Sequence, residues 1–104
     1  MERPQEKGMQ IAKNLKVLEW LKSEILDQVA GLYRHLMHSK HDSALDCLAS
    51  LIVAVFVMAR RIGFSFRELE NAVSRKLREH VRDGHQMEEW YGDLSALDEY
   101  INKR

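Results

Sequence analysis

The chain has little that would break a helix or cross-link one: a single proline, at position 4, five glycines and one cysteine in 104 residues. So few helix breakers leave long uninterrupted segments, which favours an all-α protein. The lone Cys47 excludes an intrachain disulfide framework and favours a reducing, cytoplasmic setting. Sixteen basic and sixteen acidic residues cancel. The chain therefore has no net charge that would attract it to nucleic acid or to a membrane surface, and we expect neither as a partner.

The N-terminal segment, MERPQEKGMQ, also lacks the apolar core of a signal peptide. We expect residues 1–8 to be flexible. At this length the chain is predicted to form one domain over residues 1–104, with a modest core that gains from oligomerisation.

The longest apolar run is Leu48–Ala59, in which only Ser50 carries a polar side chain. The run is shorter than the ~20 apolar residues that cross a bilayer. A helix that is apolar all round must be covered on every side, and one chain of this length has too few helices to surround it. We therefore predict an oligomeric core, with this helix buried between the subunits of a homodimer or a dimer of dimers.

Periodicity divides the rest of the chain into helices. Apolar residues at nearly heptad spacing from Ile11 to Leu36 predict a helix from about Met9 to Met37. Asn14 is the one plausible break, so a single long helix and a short helix followed by a longer one both fit. A polar loop, His38–Asp42, precedes a second helix over Ser43–Arg61, where Asp46 follows Ser43 with the spacing of a capping box.

The junction after this helix is the clearest local signal. Gly63 supplies the positive φ of a helix C-cap, and Ser65 with Glu68 forms a capping box for a third helix, Phe66–Arg82. Two helices joined by so few residues are predicted to pack as an antiparallel hairpin. Short helices over 84–104, near Met87–Tyr91 and from Leu94 to Ile101, close the chain.

This succession resembles the MazG-like members of the all-α nucleoside triphosphate pyrophosphohydrolases. The resemblance covers roughly Leu18–Arg82 and is strongest in the segment LASLIVAVFVMARRIGFSFRELENAVSRKL, while EEWYGDLSAL looks like the tail of a small MazG-like subgroup. It implies an all-α MazG-like helical bundle. In that family Mg²⁺ is held by four carboxylates, an ExxE motif on one helix and an ExxD motif on the next.

The resemblance places these four carboxylates at positions that are not acidic here. Counting back from Gly63 puts the ExxD positions at Cys47 and Ser50, and the ExxE positions fall at Gln28 and Gly31. We therefore expect no metal, no cofactor and no catalytic residue, and either a nucleotide-sized cleft that binds without hydrolysing or a role as a binding or regulatory subunit. Residues at helical spacing are predicted to line it: Glu24, Gln28, Gly31, His35, Asp46, Cys47 and Ser50, with Lys76 and His80 approaching from the third helix.

Two other functions stay open from the residues alone. An active pyrophosphohydrolase would need Mg²⁺ on relocated ligands, drawn from Glu24, Asp27, Asp42 and Asp46. A structural or partner-binding helical oligomer is indicated by the heptad spacing of the first helix. Simpler explanations also exist for single residues: Asp46 as a helix cap, Cys47 as a packed small side chain, and the histidines at positions 35, 38 and 41 as solvated groups rather than Zn²⁺ ligands.

Overall fold

The computed structural model describes residues 3–84 and 86–103, without the side chains of residues 87 and 88. It is all-α, as the sequence predicts, and no strand occurs among the residues described. The described residues form five successive helices: α1 (Pro4–Met37), α2 (His41–Arg61), α3 (Phe66–Arg82), α4 (Gln86–Tyr91) and α5 (Asp93–Asn102).

Helix α1 is one continuous helix of 34 residues, so the one-helix alternative is confirmed. It begins at Pro4, because proline at the first helical position lacks only an N–H that would have no partner there. The Arg3 backbone N–H donates to the Glu6 carboxylate at 3.4 Å. Residues 4–8 belong to this helix. Residues 1 and 2 lie outside the described residues, and the flexibility expected of residues 1–8 stays a prediction. The side chain of Asn14, the candidate break, donates instead to the Arg61 carbonyl at the end of α2 (3.4 Å).

The turn between α1 and α2 corrects one sequence prediction. The Lys40 N–H donates to the His35 carbonyl at 2.8 Å, with Ser39 between them in the left-handed region at φ 55°. This closure lets α2 begin at His41, where the Ala44 N–H already donates to the Lys40 carbonyl. The predicted capping box of Ser43 and Asp46 is wrong, because both residues lie inside the helix.

Helices α1 and α2 pack side by side as an antiparallel hairpin. Asn14 meets Arg61 at one end, and Gly31 faces Cys47 towards the other. The buried residues between them are mostly small (Gly31, Ala44, Cys47 and Ala54), with the fully buried Leu21 as the one large side chain. Small side chains allow two helix backbones to approach closely, and this positions the candidate site.

Residues 1–64 and 65–104 form two compact units. The first ends as predicted: Gly63 has φ 110°, and the Phe64 N–H donates to the Ala59 carbonyl at 2.9 Å. In the second, the predicted capping box is confirmed, since the Glu68 N–H donates to the Ser65 hydroxyl at 3.0 Å. Within this unit α3 and α5 pack together. The single domain and the antiparallel packing of α2 with α3 stay predictions.

Much of the apolar surface of α2 is uncovered. Leu45, Ile52 and Val53 are about 60% exposed (63%, 58% and 62%). By length and composition alone α2, at 21 residues, could cross a membrane, and only 22% of its most apolar stretch is buried within the chain. An exposed apolar surface of this kind is typical of a face that contacts another molecule.

Candidate binding site between the first two helices

The position where the resemblance places a metal-binding carboxylate is a close packing contact. A Cβ atom built on Gly31 would lie 3.2 Å from the Cys47 Sγ, closer than such contacts normally come. Cys47 is a free thiol and is 9% exposed. Two of the four family positions, Gly31 and Cys47, are thus pressed together, and a longer side chain at position 31 would have to displace Cys47.

The other half of the predicted cleft is polar and only half-buried. The Gln28 side-chain amide donates to one oxygen of the Glu24 carboxylate at 2.8 Å, one helical turn away on α1. This hydrogen bond aligns Glu24 along the surface of α1. Its carboxylate, which can accept about four hydrogen bonds, therefore keeps acceptor capacity for a ligand or water.

Glu24 lies at the edge of a groove that runs along one side of the α1–α2 contact. The groove encloses about 300 Å³. Helix α1 contributes Trp20, Leu21 and Glu24, and α2 contributes Ser50, Val53 and Val57. Its lining is thus mainly apolar, with one carboxylate, one hydroxyl and one indole ring. No lysine, arginine or histidine lines it among the residues that the structure describes.

The remaining predicted cleft residues are not drawn into this groove. His35 is half-buried two turns beyond Gln28 on α1, and Asp46 is exposed one turn before Ser50 on α2. Lys76 and His80 belong to the second unit, on α3, and their approach to the cleft stays a prediction. The structure therefore gathers Glu24 with Ser50, Glu24 with Gln28, and Gly31 with Cys47.

A model of the MazG-like family matches residues 11–94. The chain belongs to the MazG-like family. The match covers the hairpin, the Gly63 junction and α3, which includes every residue of the predicted cleft. No curated protein and no solved structure gives a significant match.

The two positions that the structure brings into contact in this MazG-like chain, Gly31 and Cys47, carry no carboxylate. A hard divalent cation requires several oxygen ligands, mainly carboxylates. Glycine offers no side-chain ligand and a buried thiol is a soft one, so only Glu24 carries a suitable charge in the groove. Across the described residues no group of three or more His, Cys, Asp or Glu side chains is placed to hold a metal ion.

The relocated ligands of the active alternative lie apart from this groove. Asp27, Asp42 and Asp46 are all exposed. Only Glu24 of the four lines the groove.

Six residues that line the groove are not among the predicted cleft residues: Trp20, Leu21, Ala49, Val53, Ala54 and Val57. A usable signal was present, because Trp20 lies four residues before Glu24, while Val53 and Val57 follow Ser50 by three and seven. Residues at these spacings share one face of a helix. The periodicity could therefore have predicted that these apolar residues lie beside Glu24 on α1 and beside Ser50 on α2.

Proposed function

We propose that this MazG-like protein has lost Mg²⁺-dependent pyrophosphohydrolysis and acts as a binding or regulatory member of its family. The observation that carries the proposal is the contact between Gly31 and Cys47: a Cβ atom at position 31 would lie 3.2 Å from the Cys47 Sγ, so a side chain there requires the thiol to move. The lining of the groove supports it as well, since Glu24 is the one carboxylate there among the residues that the structure describes.

The direct test is a pyrophosphate-release assay with each common ribo- and deoxyribonucleoside triphosphate, in Mg²⁺ and in Mn²⁺. We expect no release above the uncatalysed rate. Robust metal-dependent release by pure protein would overturn the proposal and favour the alternative in which Glu24, Asp27, Asp42 and Asp46 bind Mg²⁺. In that case Asp46→Asn should abolish turnover while leaving the thermal unfolding midpoint unchanged.

Nucleotide binding without hydrolysis is a second candidate, supported by the size of the groove. Its volume of about 300 Å³ lies at the lower end of the ~300–1,000 Å³ typical of small-molecule sites. Isothermal titration with non-hydrolysable nucleotides, with and without Mg²⁺, tests it. Heat of binding that needs Mg²⁺ would show that metal ligands exist, whereas metal-independent binding would support a retained cleft.

We also propose that the protein is a cytoplasmic homo-oligomer, a dimer or a dimer of dimers, held together by the exposed face of α2. Leu48, Ile52 and Val55 recur along this face, and they are 42%, 58% and 40% exposed. Helical spacing puts them on the other side of the α1–α2 contact from Ser50, Val53 and Val57. A second copy can therefore cover this face and leave the groove open.

Sedimentation equilibrium without detergent tests the assembly. We expect a dimer or tetramer for the wild type and dissociation for Ile52→Lys, because a buried lysine without a partner opposes association. Leu97→Lys is the matched control, since Leu97 is 44% exposed on α5 in the second unit. A wild-type monomer, or protein that needs detergent and floats with lipid vesicles, would contradict the proposal.

A further inference from the structure

We propose that the groove beside Glu24 is a binding site for an organic cation, an ammonium group carried on a small apolar body. The proposal goes beyond the loss of hydrolysis and rests on it in one respect. A metal ion held beside Glu24 would neutralise the charge that the cation is expected to meet.

The charge of the groove is the first observation. Glu24 is its only ionisable carboxylate, and one hydrogen bond, from the Gln28 amide at 2.8 Å, is the contact that restrains it. No basic side chain lines the groove among the described residues, so Glu24 is the one formal charge in its lining. That charge favours a cation, and the proposal therefore competes with the second candidate above, nucleotide binding.

The aromatic ring is the second observation. Trp20 lines the groove one helical turn before Glu24, and its side chain is 61% exposed. Tryptophan has the strongest cation–π attraction of the aromatic side chains, and the attraction increases as the site loses water. An ammonium group between the indole face and the carboxylate would meet both at once.

The rest of the groove lining is apolar, and it favours a ligand whose uncharged part is apolar as well. Leu21, Val53 and Val57 present aliphatic surface, and the Ser50 hydroxyl is the one neutral polar side chain besides the indole N–H. A hydrated inorganic cation would lose water here without gaining oxygen ligands. A methylated or alkyl ammonium is weakly hydrated and buries apolar surface, so it suits this lining better.

Isothermal titration with three probes of the same shape tests the charge selectivity. The probes are choline, its neutral isostere with a tert-butyl group in place of the trimethylammonium, and the anion tert-butylacetate. We expect choline to bind about tenfold more tightly than the neutral isostere, as one cation–π contact beside a carboxylate allows, and the anion to bind least. Equal affinities for the three, or no binding of choline, would overturn the proposal.

Variants locate the site. Glu24→Gln, which keeps an acceptor for Gln28, should reduce the tenfold preference for choline to the part that the cation–π contact with Trp20 supplies, and leave the neutral isostere unaffected. Glu19→Gln is the matched control on the same helix, because Glu19 is exposed and paired with Lys22 outside the groove. A reduced preference in both variants, or in neither, would contradict the assignment.

Fluorescence gives a second, independent readout. The chain has two tryptophans, so Trp90→Phe leaves Trp20 as the reporter, and choline should change its emission with the affinity measured by titration. If Trp20→Ala instead dissociates the oligomer and choline has no effect, a second copy occupies the groove and the proposal fails. Pyrophosphate release in Mg²⁺ would contradict the loss of hydrolysis without affecting the choline result, so the two failures are distinguishable.

Discussion

Placing a methyl group on Gly31 tests the packing contact on which the loss of the metal site depends. In Gly31→Ala the new Cβ would lie 3.2 Å from the Cys47 Sγ, and the thiol is buried. The rest of the neighbourhood is more tolerant, since the next contact is the end of the exposed Arg34 side chain at 3.7 Å. The perturbation is therefore confined to one pair of residues.

Two opposing effects set the magnitude. Alanine favours a helix interior over glycine by ~1 kcal/mol. An extra methyl group in a well-packed interior costs ~1–3 kcal/mol. Taking the middle of that range, Gly31→Ala should lower the free energy of unfolding by about 1 kcal/mol in the wild type and raise it by about 1 kcal/mol when Cys47→Ala has removed the thiol. The coupling energy between the two positions is then about 2 kcal/mol.

Urea unfolding followed by far-ultraviolet circular dichroism measures all four proteins of this cycle. Protein concentration must be held constant, because dissociation of an oligomer would otherwise shift the midpoint. Gly8→Ala is the control on the same helix: nothing lies within 4 Å of its Cβ position. It should be neutral to stabilising by up to ~1 kcal/mol and show no coupling to Cys47→Ala.

Additive effects would refute the reasoning. If Gly31→Ala stabilises the wild type as much as it stabilises the Cys47→Ala variant, there is space beside Gly31 that the structure does not show. A longer side chain could then also be accommodated there. The packing argument for a lost metal site would then fail, and the proposal would rest on the absence of carboxylates at Gln28, Gly31, Cys47 and Ser50 alone.

Four further outcomes are expected. Ser39→Gly should stabilise the protein by up to ~1 kcal/mol in urea unfolding, because Ser39 has φ 55° and glycine adopts that region without a Cβ penalty; a loss of stability would contradict this. Ser65→Ala should cost ~1 kcal/mol by the same measurement, since it removes the acceptor for the Glu68 N–H, and no change would show that the cap is dispensable. Asp46→Asn should change stability by less than ~0.5 kcal/mol, as Asp46 is an exposed residue within α2; a loss near that of Ser65→Ala would restore its role as a cap. Cys47 should react with a thiol reagent far more slowly in native protein than in urea because it is buried, and equal rates would place it at the surface.

Local sequence signals predicted the ends of several helices well. They failed where the sequence was compatible with two different helix ends. Gly63 and the pair of Ser65 and Glu68 act over a few residues, so their hydrogen bonds could be anticipated from spacing alone. Ser43 with Asp46 has the same spacing but caps nothing, because the turn through Ser39 starts α2 earlier. Asn14 could have ended α1, yet its side chain bonds to the Arg61 carbonyl, which is 47 residues away.

In the candidate site, too, the sequence predicted some features and could not predict others. Periodicity placed Glu24, Gln28 and Gly31 on one stripe of α1, with Cys47 and Ser50 on one stripe of α2. It could not show that Gly31 and Cys47 touch while Glu24 and Ser50 border a groove. That difference depends on the distance between two helix axes, which is set by the size of every side chain along the contact.

By itself, the sequence determined the helical class, the positions of the turns and the absence of acidic residues where the family carries its metal ligands, because these depend on neighbours along the chain. Tertiary structure alone decided which polar residues meet across the hairpin and what kind of space they enclose. The antiparallel pairing of α1 with α2 turns two stripes into one close contact and one groove. The resulting charge and shape belong to both helices together and to neither alone.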